Sequence, residues 1–256
     1  MGDTELKDLF EKVDNNKSII AEHKPFDPNI LKDLQQYYRL SLTYSSNALE
    51  GNTLTLSETK IAIEDGLTVA GKPVKDYYEA LGHAAAFDFM YEMALSSDSA
   101  LTEENIKNLH KLFYAGIDFC EAGLYRKRQN YISGTNYIPP SADEVTALMK
   151  KLIQWGEDQR NELHPIEFAA IVHRKLMDIH PFIDGNGRTA RLLMNLCLMR
   201  DGYNIVSIPP ALRHDYVQTL QTAQRLDNPS DEPFIRLIAE CELESQRDYF
   251  RLIKIF

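Results

Sequence analysis

Paired cysteines, long apolar runs and an excess of positive charge are all missing from this chain. The three cysteines in 256 residues, Cys120, Cys197 and Cys241, are odd in number, far apart and not in any C-x-x-C arrangement. A disulfide framework is thereby excluded, and free thiols in a reducing compartment are expected, with buried and inert as their ordinary state. The most apolar stretch, residues 192–199, is interrupted by Asn195 and falls far short of the roughly 20 residues a membrane span needs. The opening residues, MGDTELKDLF, have no basic segment followed by an apolar one, and Leu6 stands where a myristoylation motif wants Ser or Thr. Neither export nor a lipid anchor is expected, and the cytoplasm is the expected compartment. Lys and Arg number 28 against 38 Asp and Glu, a net charge of -10 that opposes non-specific binding to a nucleic-acid backbone.

What is present reads as an ordered globular protein, 44% hydrophobic and 26% charged. No internal repeat or low-complexity linker divides it. Apolar residues recur at helical spacing in nearly every segment, so the expected class is mostly α. Pro28 opens a helix whose Ile30, Leu31, Leu34, Tyr38 and Leu42 follow a three- and four-residue rhythm, and Gly51 is placed to end it. Further helices are predicted over 57–65, 75–95, 102–114, 141–159, 165–179, 188–201, 211–225 and 232–249. Ser141 with Glu144 makes a capping box at the start of one of them. Between 125 and 140 the rhythm changes. Tyr131-Ile132 and Tyr137-Ile138 flank Ser133-Gly134-Thr135-Asn136, which predicts a short β-hairpin closed by Pro139-Pro140.

The chemistry concentrates in residues 180–191, HPFIDGNGRTAR. Pro181 disfavours continued helix at His180, and a histidine at such a boundary can face a cleft, with a pKa near 6.5 suited to taking a proton from a hydroxyl. Asp184 sits in a turn where a carboxylate can reach a hard cation; by itself it would be an ordinary turn residue. Gly185-Asn186-Gly187 lead straight into a helix N-terminus, whose orphan N–H groups and dipole attract anions. Arg188 and Arg191 share a face of that first turn, where two cations are unfavourable without an anion between them. Together they point to a nucleotide phosphate.

Other phosphate and metal readings fail on context. Residues 185–190 match G-x-G-x-x-A but follow a helix rather than a strand, with no acidic residue near 206–209. Residues 66–73, GLTVAGKP, nearly complete a P-loop, yet Pro73 stands where a hydroxyl belongs. His164, His173 and His180 have the residue type for zinc but not a short ligand spacing.

At every fixed position HPFIDGNGRTAR resembles the Fic family signature, HPFx(D/E)GNGRxxR. The likeness extends to GLYRKRQNYISGTNYIPP and to the following helix, over about residues 100–240. The resemblance implies a Fic-type helical core with a short β-hairpin flap, a catalytic domain over 101–240, an N-terminal helical extension over 1–100 and a helix end over 241–256. It also implies transfer of AMP from ATP to a Ser, Thr or Tyr hydroxyl of a target protein. His180 would then be the general base and Asp184 the ligand of Mg²⁺ or Mn²⁺ between the α- and β-phosphates. Gly185, Asn186 and Gly187 would form the anion hole, with Arg188 and Arg191 on the outer phosphates. The flap, with Ser133, Gly134, Thr135 and Tyr137, would border the nucleotide and align the target by strand addition. Tyr216 and Gln224 would lie on the adenine side, Tyr216 having a core role as its other reading.

Upstream, Ser46-Asn-Ala-Leu-Glu50-Gly51 resembles the family's inhibitory motif, (S/T)xxxE(G/N). Glu50 would pair with Arg191 and displace the γ-phosphate. The partners so implied are a target protein, the protein itself as target and a second copy in a homodimer, with neither nucleic acid nor membrane. Removal of AMP, another nucleotide donor, or a catalytically silent binding module remain the alternatives.

Overall fold

The computed structural model describes residues 2–96, 101–132 and 134–253. Ten α-helices make up the described fold: α1 (Gly2–Glu22), α2 (Pro28–Leu49), α3 (Leu56–Lys60), α4 (Val74–Leu95), α5 (Glu103–Tyr114), α6 (Ala142–Gln159), α7 (Pro165–Ile179), α8 (Asn186–Arg200), α9 (Arg213–Ala223) and α10 (Glu232–Leu252). Their ends follow from local chemistry. The Asp27 side chain accepts the Asn29 N–H and Pro28 occupies the first turn of α2, while Thr55 with Glu58 and Ser141 with Glu144 form capping boxes on α3 and α6. The single helix expected over 57–65 is α3 running into a π-helical turn, Ile61–Asp65, that stops at Gly66 with φ of 68°.

The centre of the fold is α8. All its residues from Asn186 to Leu198 are buried, because α2, α4, α5 and α7 pack around it. A helix enclosed on all sides is largely apolar, as Leu192, Leu193, Met194, Leu196 and Leu198 are, and its buried Asn195 is satisfied by Arg191 O and the Val206 backbone. Each such apolar side chain contributes about 1.5–3 kcal/mol by leaving water. Its polar residues concentrate at the N-terminus, in Asn186, Arg188, Thr189 and Arg191, and there the candidate chemistry lies.

α1 was absent from the sequence expectation. Its Leu6, Leu9, Phe10, Val13 and Ile20 follow the spacing of one helical face, and that face packs against α10. The signal was present but diluted by charged neighbours. Val13 and Phe234 belong to the same hydrophobic cluster, so the first hundred residues share a core with the rest.

The hairpin expectation is corrected: no strand occurs among the described residues, and those of 127–132 and 134–140 form an irregular segment of bends and a turn without a ladder. Side chains tie it to carbonyls instead. Gln129 Nε2 donates to Pro139 O (2.8 Å) and Tyr137 Oη to Asp178 O (3.0 Å), while Pro139 and Pro140 have no N–H to offer a partner strand. Ser133 lies outside the described residues. All three cysteines are free, but only Cys197 and Cys241 are buried; Cys120 is exposed in the turns after α5. No helix among the described residues is long and apolar enough to cross a membrane.

Candidate active site

At the end of α7, His180 adopts the left-handed conformation, φ 50° and ψ 57°. Pro181 disfavours the right-handed alternative, and the strained backbone, worth about 1–3 kcal/mol, needs support from around it. Arg126 supplies much of that support. Its Nε donates to His180 O (2.8 Å), its backbone N–H to Pro181 O (2.9 Å) and its Nη1 to Arg128 O (3.1 Å), while Nη2 reaches Pro140 O. Asn130 Nδ2 holds the Phe182 and Ile183 carbonyls at 3.0 Å each. The root of the flap segment thus clamps the loop that carries the histidine.

Two further groups lock that loop. Asn186 accepts the Phe182 N–H and returns a bond to the Phe182 carbonyl, both at 2.9 Å, so its side chain closes the turn rather than facing an anion. His110 accepts the Gly123 N–H at Nδ1 (2.9 Å), donates from Nε2 to Asp184 O (3.0 Å) and stacks on Phe182 with centroids 3.8 Å apart. Burial is the main cause that lowers its pKa to about 4, so it stays neutral in this role.

The His180 ring has its Nδ1 3.4 Å from Met177 O. A carbonyl can only accept, so Nδ1 carries the proton and Nε2 keeps its lone pair. Burial lowers the pKa, assisted by the Arg126 charge and opposed by Met177, Glu50 and Asp184. At neutral pH the imidazole is a neutral base.

Gly185 caps α8 with φ of 76°, and a Cβ there would lie 2.7 Å from the Phe113 ring. Glycine is required on both counts. Asp184 accepts the Gly185 N–H at 2.6 Å and Arg188 Nη2 at 3.3 Å, with Lys75 3.7 Å away. Burial opposes its ionisation, but Arg188, that N–H and Lys75 outweigh it and hold its pKa below the usual value. No group of three His, Cys, Asp or Glu side chains placed to hold a metal exists among the described residues. The half-exposed Asp184 carboxylate nonetheless fits Mg²⁺ or Mn²⁺, which usually take one or two protein carboxylates and share the rest with substrate phosphates. His164 stacks on Phe10 and His173 is buried against Tyr216, so the three histidines do not converge. Lys72, the near P-loop lysine, bonds to Thr53 O and Glu58.

The two arginines diverge. Arg188 Nη1 donates to Glu79 Oε1 (2.7 Å), and its guanidinium lies 4.4 Å over the Phe113 ring. Arg191 is 1% exposed, with Nε on Ser46 Oγ (2.9 Å), Nη2 on Ser46 O (2.9 Å) and on Glu50 Oε1 (2.7 Å), and Nη1 on Tyr216 Oη (3.0 Å). Glu50 sits at the C-cap of α2, just before Gly51 at φ of 93°. Its carboxylate covers the first turn of α8 so closely that a Cβ on Gly187 would fall 2.1 Å from Oε1. Burial opposes ionisation here too, yet Arg191 and Arg188 prevail and lower the Glu50 pKa. An anion therefore occupies the helix end, and it belongs to the chain itself.

Of the flap residues, Gly134, Thr135 and Tyr137 line a cleft of about 890 Å³ together with Gln221 and Gln224 of the α9 end. Gln224 Nε2 donates to Asp178 Oδ1 (2.9 Å) and Gln221 Nε2 to Gly134 O (3.0 Å). Tyr216, read as either an adenine-side or a core residue, is buried beside Arg191 and does not border this cleft. Sequence reasoning missed Glu79, Arg126, Asn130 and His110. Glu79 had a signal, since Asp76, Glu79 and His83 follow helical spacing beside the buried Ala80, Ala84 and Phe87 of α4.

A helical core carrying this base, carboxylate and anion-binding helix end has a known counterpart. Residues 100–198 match the model of the Fic/DOC family. Fic-1 from C. elegans superposes with a TM-score of 0.88 at 30% identity, over 98% of this chain and 74% of that one. A Fic-domain signaling protein from Bacteroides thetaiotaomicron gives 0.83 at 27% identity, over 99% and 97%. The protein adenylyltransferase Fic of Culex quinquefasciatus is 34% identical over 233 residues, 91% of this chain and 45% of that protein. The chain belongs to the Fic/DOC family. It spans about half the length of the curated relatives it matches.

Proposed function

We propose that the chain is a protein adenylyltransferase that transfers AMP from ATP to a hydroxyl of a target protein, held inactive by Glu50. The observation that carries this reading is the neutral His180 beside an α8 N-terminus whose Arg191 is engaged by Glu50 at 2.7 Å. His180 Nε2 takes the proton of a target Ser, Thr or Tyr as its oxygen bonds to the α-phosphorus. The bond to the β-phosphate oxygen breaks and pyrophosphate leaves. The first-turn N–H groups of α8 and the Arg191 side chain stabilise the phosphate charge, while Arg188, matched by Glu79 and Asp184, holds the Asp184 carboxylate beside them, so catalysis rests on positioning and electrostatics. Mg²⁺ or Mn²⁺ held by Asp184 would supply charge neutralisation on the phosphates.

Glu50 opposes this by occupying the place of an outer phosphate. With it there, Arg191 is already paired and an incoming γ-phosphate meets a carboxylate. The adenine fits the cleft between the flap segment and the α9 end, beside Gln224. The flap segment, which borders that cleft through Gly134, Thr135 and Tyr137, is suited to align an extended stretch of the target.

Labelled ATP tests both parts. Glu50→Gly is expected to raise AMP incorporation into added protein or into the chain itself by about 30-fold or more, the worth of one charge-assisted hydrogen bond of roughly 2 kcal/mol. His180→Ala in the same background should abolish it. Unchanged labelling in Glu50→Gly would refute inhibition, and full labelling without the imidazole would refute the base.

A further inference from the structure

Four hydrogen bonds hold the Arg191 side chain, and three of them come from one place. Ser46 Oγ, Ser46 O and Glu50 Oε1 all belong to the C-terminal end of α2. The fourth comes from the opposite side, where Tyr216 of α9 accepts Nη1 at 3.0 Å with its ring 5.6 Å from the guanidinium carbon. Any displacement of the α2 end that frees Arg191 from Glu50 puts the two Ser46 bonds at stake as well. The Tyr216 contact alone is independent of α2.

The tyrosine is itself fixed for that task. Arg191 is only a donor, so the Tyr216 oxygen must accept from it and send its own proton elsewhere. That proton has a place to go: His173 Nε2 of α7 lies 3.1 Å away. The two rings meet edge to face with centroids 5.7 Å apart, and Phe234 packs against both. His173 is fully buried, and burial first, then the Arg191 charge, keep it neutral and able to accept. The chain of bonds runs Arg191 to Tyr216 to His173, all in one direction.

We infer that Tyr216, oriented by His173, is a positioning residue that aims Arg191 at the outer phosphate of the nucleotide once Glu50 withdraws. This rests on the reading above that Arg191 serves that phosphate. The consequence is specific. Removing the hydroxyl leaves the packing intact but frees Nη1, the guanidinium nitrogen that Ser46 does not hold, so the affinity for a triphosphate should fall while that for a diphosphate holds.

The test uses the full chain with Glu50→Gly to open the site and His180→Ala to prevent turnover. ATP and ADP dissociation constants are measured by calorimetry in this reference, in the reference with Tyr216→Phe, and in the reference with Arg191→Gln. The expected result is a preference for ATP over ADP in the reference, reduced about tenfold by Tyr216→Phe with ADP affinity and melting temperature unchanged. Loss of ATP and ADP binding together would mean a merely structural tyrosine and would overturn the inference. An unchanged preference in Tyr216→Phe, with the preference lost in Arg191→Gln, would overturn it while leaving the role of Arg191 standing. Should Arg191→Gln also keep the preference, the phosphate role of Arg191 falls and the inference with it.

Discussion

Arg188 and Arg191 lie one helical turn apart on the same buried helix, yet the fold treats them differently. Arg188 is matched by Glu79 and Asp184, two carboxylates on α4 and on its own loop, and its face is covered by Phe113. Among the described residues Arg191 has one carboxylate partner, Glu50, which sits at the end of a different helix and is 34% exposed; its other acceptors are neutral. The first arrangement is complete without a ligand. In the second, subtracting one partly exposed glutamate leaves a buried cation at a helix N-terminus, which is a site for a phosphate. The proposed switch rests on that difference: an ion pair can be opened where one partner stands at a removable edge.

Stability separates the two most strongly. Glu79→Ala leaves Arg188 only the longer contact to half-exposed Asp184 and removes one of the two acceptors of Asn52 Nδ2, so a loss of about 3 kcal/mol is expected, the scale for breaking a buried pair. In a chain of this size that lowers the melting temperature by roughly 6–12 °C. Glu50→Ala should lose only about 1 kcal/mol, because the pair is open to solvent on the glutamate side and three acceptors remain on Arg191. Equal losses in thermal melts would erase the distinction.

Ligand rescue sharpens it further. Added ATP should raise the melting temperature of Glu50→Ala well above its effect on the parent chain, by the equivalent of about 2.7 kcal/mol when the nucleotide is at a hundredfold excess over its dissociation constant. Glu79→Ala should gain no more than the parent does. If ATP restores Glu79→Ala instead, Arg188 is the open site and the assignment of the two arginines is reversed.

Most of this contrast was only half legible in the sequence. Residues 180–191 announced the anion site through glycines before a helix and an unfavourable pair of arginines, and those signals are local. The carboxylates that resolve the pair are remote, Glu79 a hundred and nine positions upstream of Arg188 and Glu50 a hundred and forty-one upstream of Arg191. Glu50 could be found through the motif at 46–51, whereas Glu79 lay inside an ordinary helical pattern. The flap segment failed for a different reason. Its β-favouring Tyr131, Ile132, Tyr137 and Ile138 have the propensity for strands, but the segment bonds to loop carbonyls through Gln129, Asn130 and Arg126. Propensity describes what a segment could pair with, not which partner lies nearby. Helix ends fared best, since signals such as Pro28, Gly51 and the Ser141–Glu144 box act over three or four residues.

The smallest expected effect is on pH dependence, and it bears on whether Glu50 acts as a fixed charge. The folded pKa of Glu50 is depressed below its usual 4.5, so the pair with Arg191 is fully formed above that value and lost only as the pH falls through the lowered one. His180 is also depressed, from 6.5, so the base is neutral above that value and becomes protonated only further down. Between pH 7 and 8 neither group changes its charge. The ratio of transfer rates, Glu50→Gly over parent, should therefore stay constant across that interval, within about twofold. In Glu50→Gly the acidic fall in rate should move slightly lower than in the parent, because the Glu50 charge favours the imidazolium and has been removed. A ratio that climbs tenfold from pH 7 to 8 would mean that the inhibitory contact titrates there, and the edge carboxylate would no longer be a fixed charge.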